Sequence, residues 1–510
     1  MTISYKHIFR VALLSTVLGF SACDKFLEER PSKTSSVQAT TAAQLEALLN
    51  NTASFYLEAN RSAIYATDDC GLSAAMYKSS ASPFNMAAVQ FATWDTLYLQ
   101  DDTQETFWNN EFRKIFHANM VLSLVGAVSG TAEQKATLTA DAHFIRAYSY
   151  FQLATTFCLP YNEASKNELG LPIKTSTSFE EPLKRAPLQD VYKQIESDLT
   201  EALKITQPLV QEGRARHWRA NKAAVNGFAA RYYLTRNNYA EAQKYAQLAL
   251  DEYSVLVDYN TEMRYGRTQS VVTDPGKPES KTVVLQYPYT HDNQTDLTDM
   301  IGWKEFLYFR MLNHGSWWYI PSQGLLNLYD KDHDLRYRYH IVENYSYDRG
   351  MINPSFDYPG YIFFFKDRLP SGPTVPEMLL IKAEALARTN KPAEAVAVLN
   401  QLRAKRMTPG AWVTLVATTP DDAIAKVLEE RRRELPFTHR WNDIRRYNNN
   451  DYALDDITLT RDFYPYNVAS VQTNEPVKTY TLAKGSRRFA QPIPRTELVA
   501  SGGVIEQNKY

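Results

Sequence analysis

The residues best placed to hold a metal are Asp330-Lys331-Asp332-His333-Asp334. Alternating carboxylates can ligate Ca²⁺ from a loop, but such a loop needs a glycine at its turn and a glutamate at its close. Leu335 and Ile341 stand at those places, so the run reads as a solvated acidic turn paired with Arg336 and Arg338. A second run, Glu429-Glu430-Arg431-Arg432-Arg433-Glu434, has the groups for acid–base chemistry. On a helix, however, Glu429 and Arg433 lie one turn apart, a spacing that suits a stabilising pair, and Pro436 would end that helix. Glycoside cleavage needs two carboxylates at a set separation, and nothing singles out a pair among the 57 acidic residues. The chain contains no G-x-S-x-G, H-E-x-x-H, C-x-x-C or phosphate-cradling glycine-rich loop. The reading is therefore a protein with no catalytic residue, no metal and no cofactor. What stands out is 33 Tyr, 23 Phe and 8 Trp. Most such rings belong in a core; the remainder can serve as platforms for a ligand.

The formal net charge of −1 lacks the basic excess of a nucleic-acid binder. A chain of 510 residues can bury a large core without staples. Its first residues read as an address. Lys6, His7 and Arg10 precede an apolar run over 11–20, too short to span a bilayer and typical of a secretory signal peptide. Ser21-Ala22-Cys23 then looks like a bacterial lipobox, with Phe20 where Leu is usual. This predicts a signal peptide over 1–22, acylation of Cys23 and a polar tether over 23–41. Each buried CH₂ of such an anchor contributes roughly 0.8 kcal/mol. The acidic residues behind Cys23 resemble the surface-export signal of Bacteroidetes lipoproteins. Cys70 and Cys158 remain, too few for a disulfide framework; buried free thiols are favoured over a pair.

Helical periodicity dominates the rest. Helices are predicted over 43–50, 111–125, 132–157 and 188–205, the last led by Pro187. Two helix–turn–helix units, 222–252 and 375–406, share an arrangement of small and large residues. Ala230, Tyr233, Ala242, Ala246 and Ala249 mark the first; Ala383, Leu386, Ala395, Leu399 and Leu402 mark the second. Matched offsets of this kind suggest tetratricopeptide-like repeats, which stack into a superhelix with a concave face. The segments about 50–105 and 255–375, and the C-terminal segment 449–510, lack this pattern. They carry too many rings for disorder and read as ordered excursions, with one strand near 282–287.

In order and spacing, several pieces resemble the RagB/SusD family of nutrient-uptake outer-membrane lipoproteins. They are Asn119 after the aromatic run 108–117, and Ala142-His143-Phe144-Ile145-Arg146-Ala147-Tyr148-Ser149-Tyr150-Phe151. Gly170-Leu171-Pro172, Pro321-Ser322, Asp334-Leu335-Arg336 and Ala383-Glu384-Ala385-Leu386-Ala387 follow. The strongest are Leu428-Glu429-Glu430-Arg431-Arg432-Arg433-Glu434-Leu435 with His439-Arg440-Trp441, Asp443-Ile444-Arg445-Arg446, and Pro492-Ile493-Pro494-Arg495 near the end. Pro436-Phe437-Thr438-His439 departs from the family's usual Ala-Phe-Glu-Gly-His, which implies a looser local turn.

The resemblance implies a mainly α fold over 42–510. A helical repeat scaffold would occupy about 105–255 and 375–448, with ligand-side excursions between. It implies an outward-facing outer-membrane protein, held to the membrane only by its lipid. Such a protein caps a SusC-like TonB-dependent transporter and hands it an oligosaccharide. The alternatives are a structural lid that binds peptide or another nutrient, and a surface hydrolase. In the family the ligand platform lies in the non-repeat segments. Sugars stack C–H faces on rings and bond their hydroxyls to polar side chains. The implied ligand candidates are therefore Trp94 and Tyr98 with Asn85 or Asp101, and Tyr287, Tyr289, Trp303 and Trp317. Trp318 and Trp441 are assigned to the core and the scaffold.

Overall fold

The computed structural model describes residues 39–79, 84–97, 102–178, 180–209, 217–294, 297–313, 319–348 and 357–510. Cys23, its tether to residue 38, Tyr98, Asp101, Trp317 and Trp318 lie outside them.

The longer helices begin where side chains cap them. α1 (Ala42–Leu49) starts at Thr41, whose hydroxyl accepts from the Gln44 N–H while the Gln44 side chain returns to the Thr41 backbone. α2 spans Asp102–Leu124. It starts well before residue 111 because Phe107 and Trp108 extend its buried stripe. α3 (Ala132–Phe157) has the same reciprocal cap, from Thr131 and Gln134. α4 (Leu188–Ala202) follows Pro187. The first repeat unit is α5 (Lys222–Thr235) and α6 (Tyr239–Glu252); the second is α7 (Val375–Arg388) and α8 (Pro392–Arg403). α9 (Pro420–Glu434) stops ahead of Pro436 as predicted, and α10 (Arg440–Tyr447) follows.

The two units also turn alike. Asn237 and Asn390 both sit in the left-handed region, at φ 56° and 63°, a conformation asparagine tolerates better than most residues. In each, two backbone N–H groups fold back onto the last turn: Asn237 to Leu234 and Asn238 to Tyr233, Asn390 to Ala387 and Lys391 to Leu386. This is the Schellman closure of a helix end. The units are remote in sequence, yet α6 packs directly on α7. Ala230, Ala242, Ala246, Ala249, Ala383 and Ala395 are wholly buried there. They share one core with Leu386, Leu399 and Leu402. A second core fills the space between α2, α3, α4 and α5. The result is a mainly α scaffold of tetratricopeptide type.

The strands are short: β1 Leu57–Glu58, β2 Tyr265–Val272, β3 Thr282–Pro288, β4 Met311–Asn313, β5 Ile341–Val342, β6 Gly360–Tyr361, β7 Arg368–Pro370, β8 Leu459–Phe463 and β9 Lys478–Leu482. β1, β4 and β7 make one small sheet, and the other six pair as β2–β3, β5–β6 and β8–β9. The predicted strand near 282–287 is β3; its antiparallel partner β2 was not foreseen. The non-repeat segments have a core of their own, rich in rings from Tyr65 and Phe91 through Trp303, Phe306, Tyr319 and Tyr361 to Phe463.

Arginines peg these segments to their neighbours. Arg461 of β8 donates to the carbonyls of Thr67, Cys70, Leu72 and Ala92. Arg406 reaches Glu305, Glu434 and the Val257 carbonyl. The turn at Phe437 is tied down rather than loosened. Its N–H donates to Asp69 at 2.9 Å, and its ring is fully buried against Tyr319. Cys70 and Cys158 are buried free thiols, and burial raises the pKa of both.

Candidate functional site

The charge runs flagged in the sequence are structural. Glu430 is fully buried and bonds Arg336, Arg403 and Arg433 at 2.8–2.9 Å. Burial works to raise its pKa, but those arginines hold it down at about 2, so it stays ionised and cannot shuttle protons near neutrality. Glu429 and Arg433 form the predicted pair, at 2.9 Å. The acidic turn differs in part from expectation. Asp334 and Arg336 pair at 2.8 Å but are buried, not solvated. Asp330 bonds His333 instead of an arginine. Among the described residues the Arg338 side chain reaches only the Asp332 carbonyl, at 3.4 Å. Among the described residues no group of three or more His, Cys, Asp or Glu could hold a metal ion.

Most of the described ligand candidates need correction. Trp94 is 3 % exposed. It occupies the left-handed stop after helix Met86–Ala92, at φ 57°. Its indole N–H donates to the Ala66 carbonyl at 2.9 Å, and it shares a core cluster with Trp441. Asn85 is the N-cap of the same helix, its side chain accepting from the Ala88 N–H. Tyr287 and Trp303 are buried, Tyr287 against His291 and Trp303 edge-on to Phe363 and Phe364. Tyr289 is half-buried, with the Arg264 guanidinium over its ring at 4.5 Å. Alternation along β3 explains Tyr287. Val283, Leu285 and Tyr287 face inward, whereas Val284 and Gln286 face out.

That outward face builds the candidate site. A groove of about 280 Å³ is lined by Tyr265, Val284, Gln286, Lys331, Tyr337, Arg338, Ile341 and Glu343. One wall is the β2–β3 hairpin. A register shift between Tyr265 and Arg267 places a bulge at Gly266, and bulges re-aim neighbouring side chains. Only glycine fits there: a Cβ would sit 2.7 Å from the Tyr289 Cα. Tyr265 is exposed. Its hydroxyl donates to the Arg338 carbonyl at 3.0 Å, and the half-buried Tyr339 stands 5.4 Å away, centroid to centroid, at 61°. The other wall is the short helix Leu335–His340, whose N-cap Asp334 is clamped by Arg336. That helix buries Leu335, Tyr337 and His340 and turns Arg338 to solvent. Tyr337 donates to Glu343 at 2.8 Å, and Lys331 lies over the Tyr337 ring at 5.3 Å.

Three larger cavities are lined by no exposed ring among the described residues. One of about 690 Å³ lies between α1 and the start of α3, lined by Glu46, Thr131, Glu133, Thr137, Asp141 and Arg219 among others. Another, of about 580 Å³, lies where the three non-repeat segments meet; its ring, Tyr358, is buried. Tyr265 and Tyr339 escaped the sequence reading because nothing in their spacing separates them from core tyrosines. Gln286 was legible once β3 was predicted, had the inward face of that strand been known.

The fold and groove define a helical-repeat scaffold that displays a small aromatic and polar surface from its non-repeat segments. Two family models match the chain: "Starch-binding associating with outer membrane" over residues 25–234 and "SusD family" over residues 376–510. The chain belongs to the RagB/SusD family. It is 25 % identical over 438 residues to SusD-like protein P2 of Formosa agariphila, covering 79 % of each chain. It is 29 % identical over 240 residues to a SusD-like protein of Bacteroides ovatus, covering 45 % of this chain and 39 % of that one. Solved structures share the fold. A putative sugar binding protein from Bacteroides vulgatus aligns with a TM-score of 0.63 at 18 % identity, over 93 % of this chain and 99 % of the other. A SusD superfamily protein from Bacteroides thetaiotaomicron aligns at 0.59 and 19 %, over 92 % and 100 %.

Proposed function

We propose that the protein is an outer-membrane lipoprotein, anchored through Cys23 and facing outward, that binds an oligosaccharide and passes it to a SusC-like TonB-dependent transporter. Family membership supports the glycan and outer-membrane parts of this reading. The observation that carries it on this chain is the exposed Tyr265 ring, edge-on to Tyr339 and flanked by Gln286, Lys331, Arg338 and Glu343. A sugar can lay its C–H face on such a ring while amide, guanidinium and carboxylate groups bond its hydroxyls. The chain acts by binding; delivery requires only that the transporter admit the ligand.

The test is affinity electrophoresis of the purified chain through gels carrying a panel of polysaccharides. Retention by one glycan, lost on Tyr265→Ala with an unchanged melting temperature, supports the reading. Retention unaffected by Tyr265→Ala moves the site elsewhere on the chain. No retention by any glycan overturns the reading in favour of a lid that binds peptide.

A further inference from the structure

The groove sets an exposed ring beside cations that have no carboxylate partner among the described residues. Lys331 and Arg338 are exposed, and neither forms an ion pair with a described residue. Lys331 contacts the face of Tyr337, and Arg338 has a single long bond to a backbone carbonyl. Most arginines that pack against the scaffold helices are instead satisfied by carboxylates, as Arg231, Arg336, Arg388, Arg406, Arg431 and Arg446 are. Among the described residues Glu343 is the one acid lining the groove, and it is engaged by the Tyr337 hydroxyl. Asp330 and Asp332, next to Lys331 in sequence, do not line the groove, and Asp330 is held by His333.

We infer that the groove selects a glycan bearing anionic groups, carboxylate or sulfate, which Lys331 and Arg338 bind while Tyr265 carries the sugar ring. This deepens the proposed glycan reading and rests on it. The two side chains offer different geometries. Arg338 presents a planar fork that fits a carboxylate or sulfate through two parallel bonds, whereas Lys331 is a point charge on a flexible stem. They stand on one wall and Gln286 on the other, so an acidic sugar would bridge the groove. Charge-assisted bonds in an open groove are screened by salt, so affinity for the acidic glycan falls as salt is raised.

The test uses matched pairs of probes: polygalacturonate against its fully methyl-esterified form, and a sulfated carrageenan against agarose. Binding by the purified chain is measured by affinity electrophoresis and calorimetry. The expected result is binding of a charged member at least tenfold tighter than its neutral partner. That preference should be lost in Lys331→Gln/Arg338→Gln at unchanged melting temperature. Which pair shows the preference separates carboxylate from sulfate. Neutral members that bind as tightly as charged ones, or a double variant with its preference intact, overturn the inference and leave the glycan reading standing. If no probe and no wider panel of neutral or acidic glycans binds, both fall together.

Discussion

Arginine and glutamate do opposite work in two regions of this protein. Between α5, α7, α9 and α10 they form a closed lattice. Glu384 bonds Arg388 and Arg446, Asp443 bonds Arg431 and Arg446, and Glu377 bonds Arg231, all with almost no exposure. At the hairpin groove, Lys331 and Arg338 face solvent and form no ion pair among the described residues. The difference separates the charges that hold the fold from those left exposed. Net charge and composition cannot reveal that division, because both regions draw on the same residue types.

The sharpest way to break the contrast is to remove one acid from the lattice. Glu384→Ala leaves Arg446 and Arg388 buried with diminished compensation, and losing one partner of a buried pair costs about 3–5 kcal/mol. A denaturant titration should show an unfolding free energy lower by that amount and a correspondingly lower midpoint; a wild-type midpoint would mean the lattice is not closed. Trp94→Ala should cost a comparable ~3–5 kcal/mol by emptying the core beside Trp441. Any loss of ligand in that variant should track its loss of fold, which near-native stability combined with abolished binding would contradict.

Acid should separate the regions next. Burial works to raise the Glu384 pKa, but Arg446 and Arg388 hold it at about 2, below the ordinary 4.5; Glu430 is held likewise by its arginines. These depressed carboxylates contribute stability that is complete above pH 4.5 and lost as pH falls towards 2. Burial lowers His340 from 6.5 to about 4. Its cost appears as pH falls from 6.5 towards 4, where the unfolded chain takes up the proton first. Unfolding free energy should therefore decline from pH 6.5 downward and fall most steeply below 4.5. A flat profile between pH 6.5 and 3 would refute the assignment of these charges.

A smaller effect is expected at the groove. Tyr265→Ala should weaken glycan binding about tenfold, or ~1.4 kcal/mol, with no change in melting. Smallest of all is Glu429→Ala. Glu429 is largely exposed and its pair with Arg433 sits on the surface of α9, so the cost is about 0.5 kcal/mol or less. A loss above 2 kcal/mol there would erase the distinction between lattice and surface.

How much of this was legible depends on range. The caps at Thr131, Asn221 and Thr374, the stop before Pro436 and the asparagine turns at 237 and 390 rest on neighbours within a few residues. The period of the alanines and leucines in α5 to α8 specifies how those helices pack. The family, too, is carried by scaffold motifs that local sequence spells out. Trp94, Tyr287 and Trp303 were misplaced for the opposite reason. An aromatic residue in a non-repeat segment carries no mark of whether it faces a core or solvent, and the non-repeat segments have a core of their own that takes Tyr287 and Trp303. Trp94 went inward because a left-handed helix stop and the Ala66 carbonyl, far from it in sequence, hold its ring there. Tyr265 stayed out because a bulge at Gly266 sets its direction, and Arg338 stayed out because the short helix Leu335–His340 buries Leu335, Tyr337 and His340 and turns it to solvent. Sequence alone determined the long scaffold helices, their repeat and the family. Only the tertiary structure decided which rings and charges remain available, since exposure depends on what the rest of the chain covers.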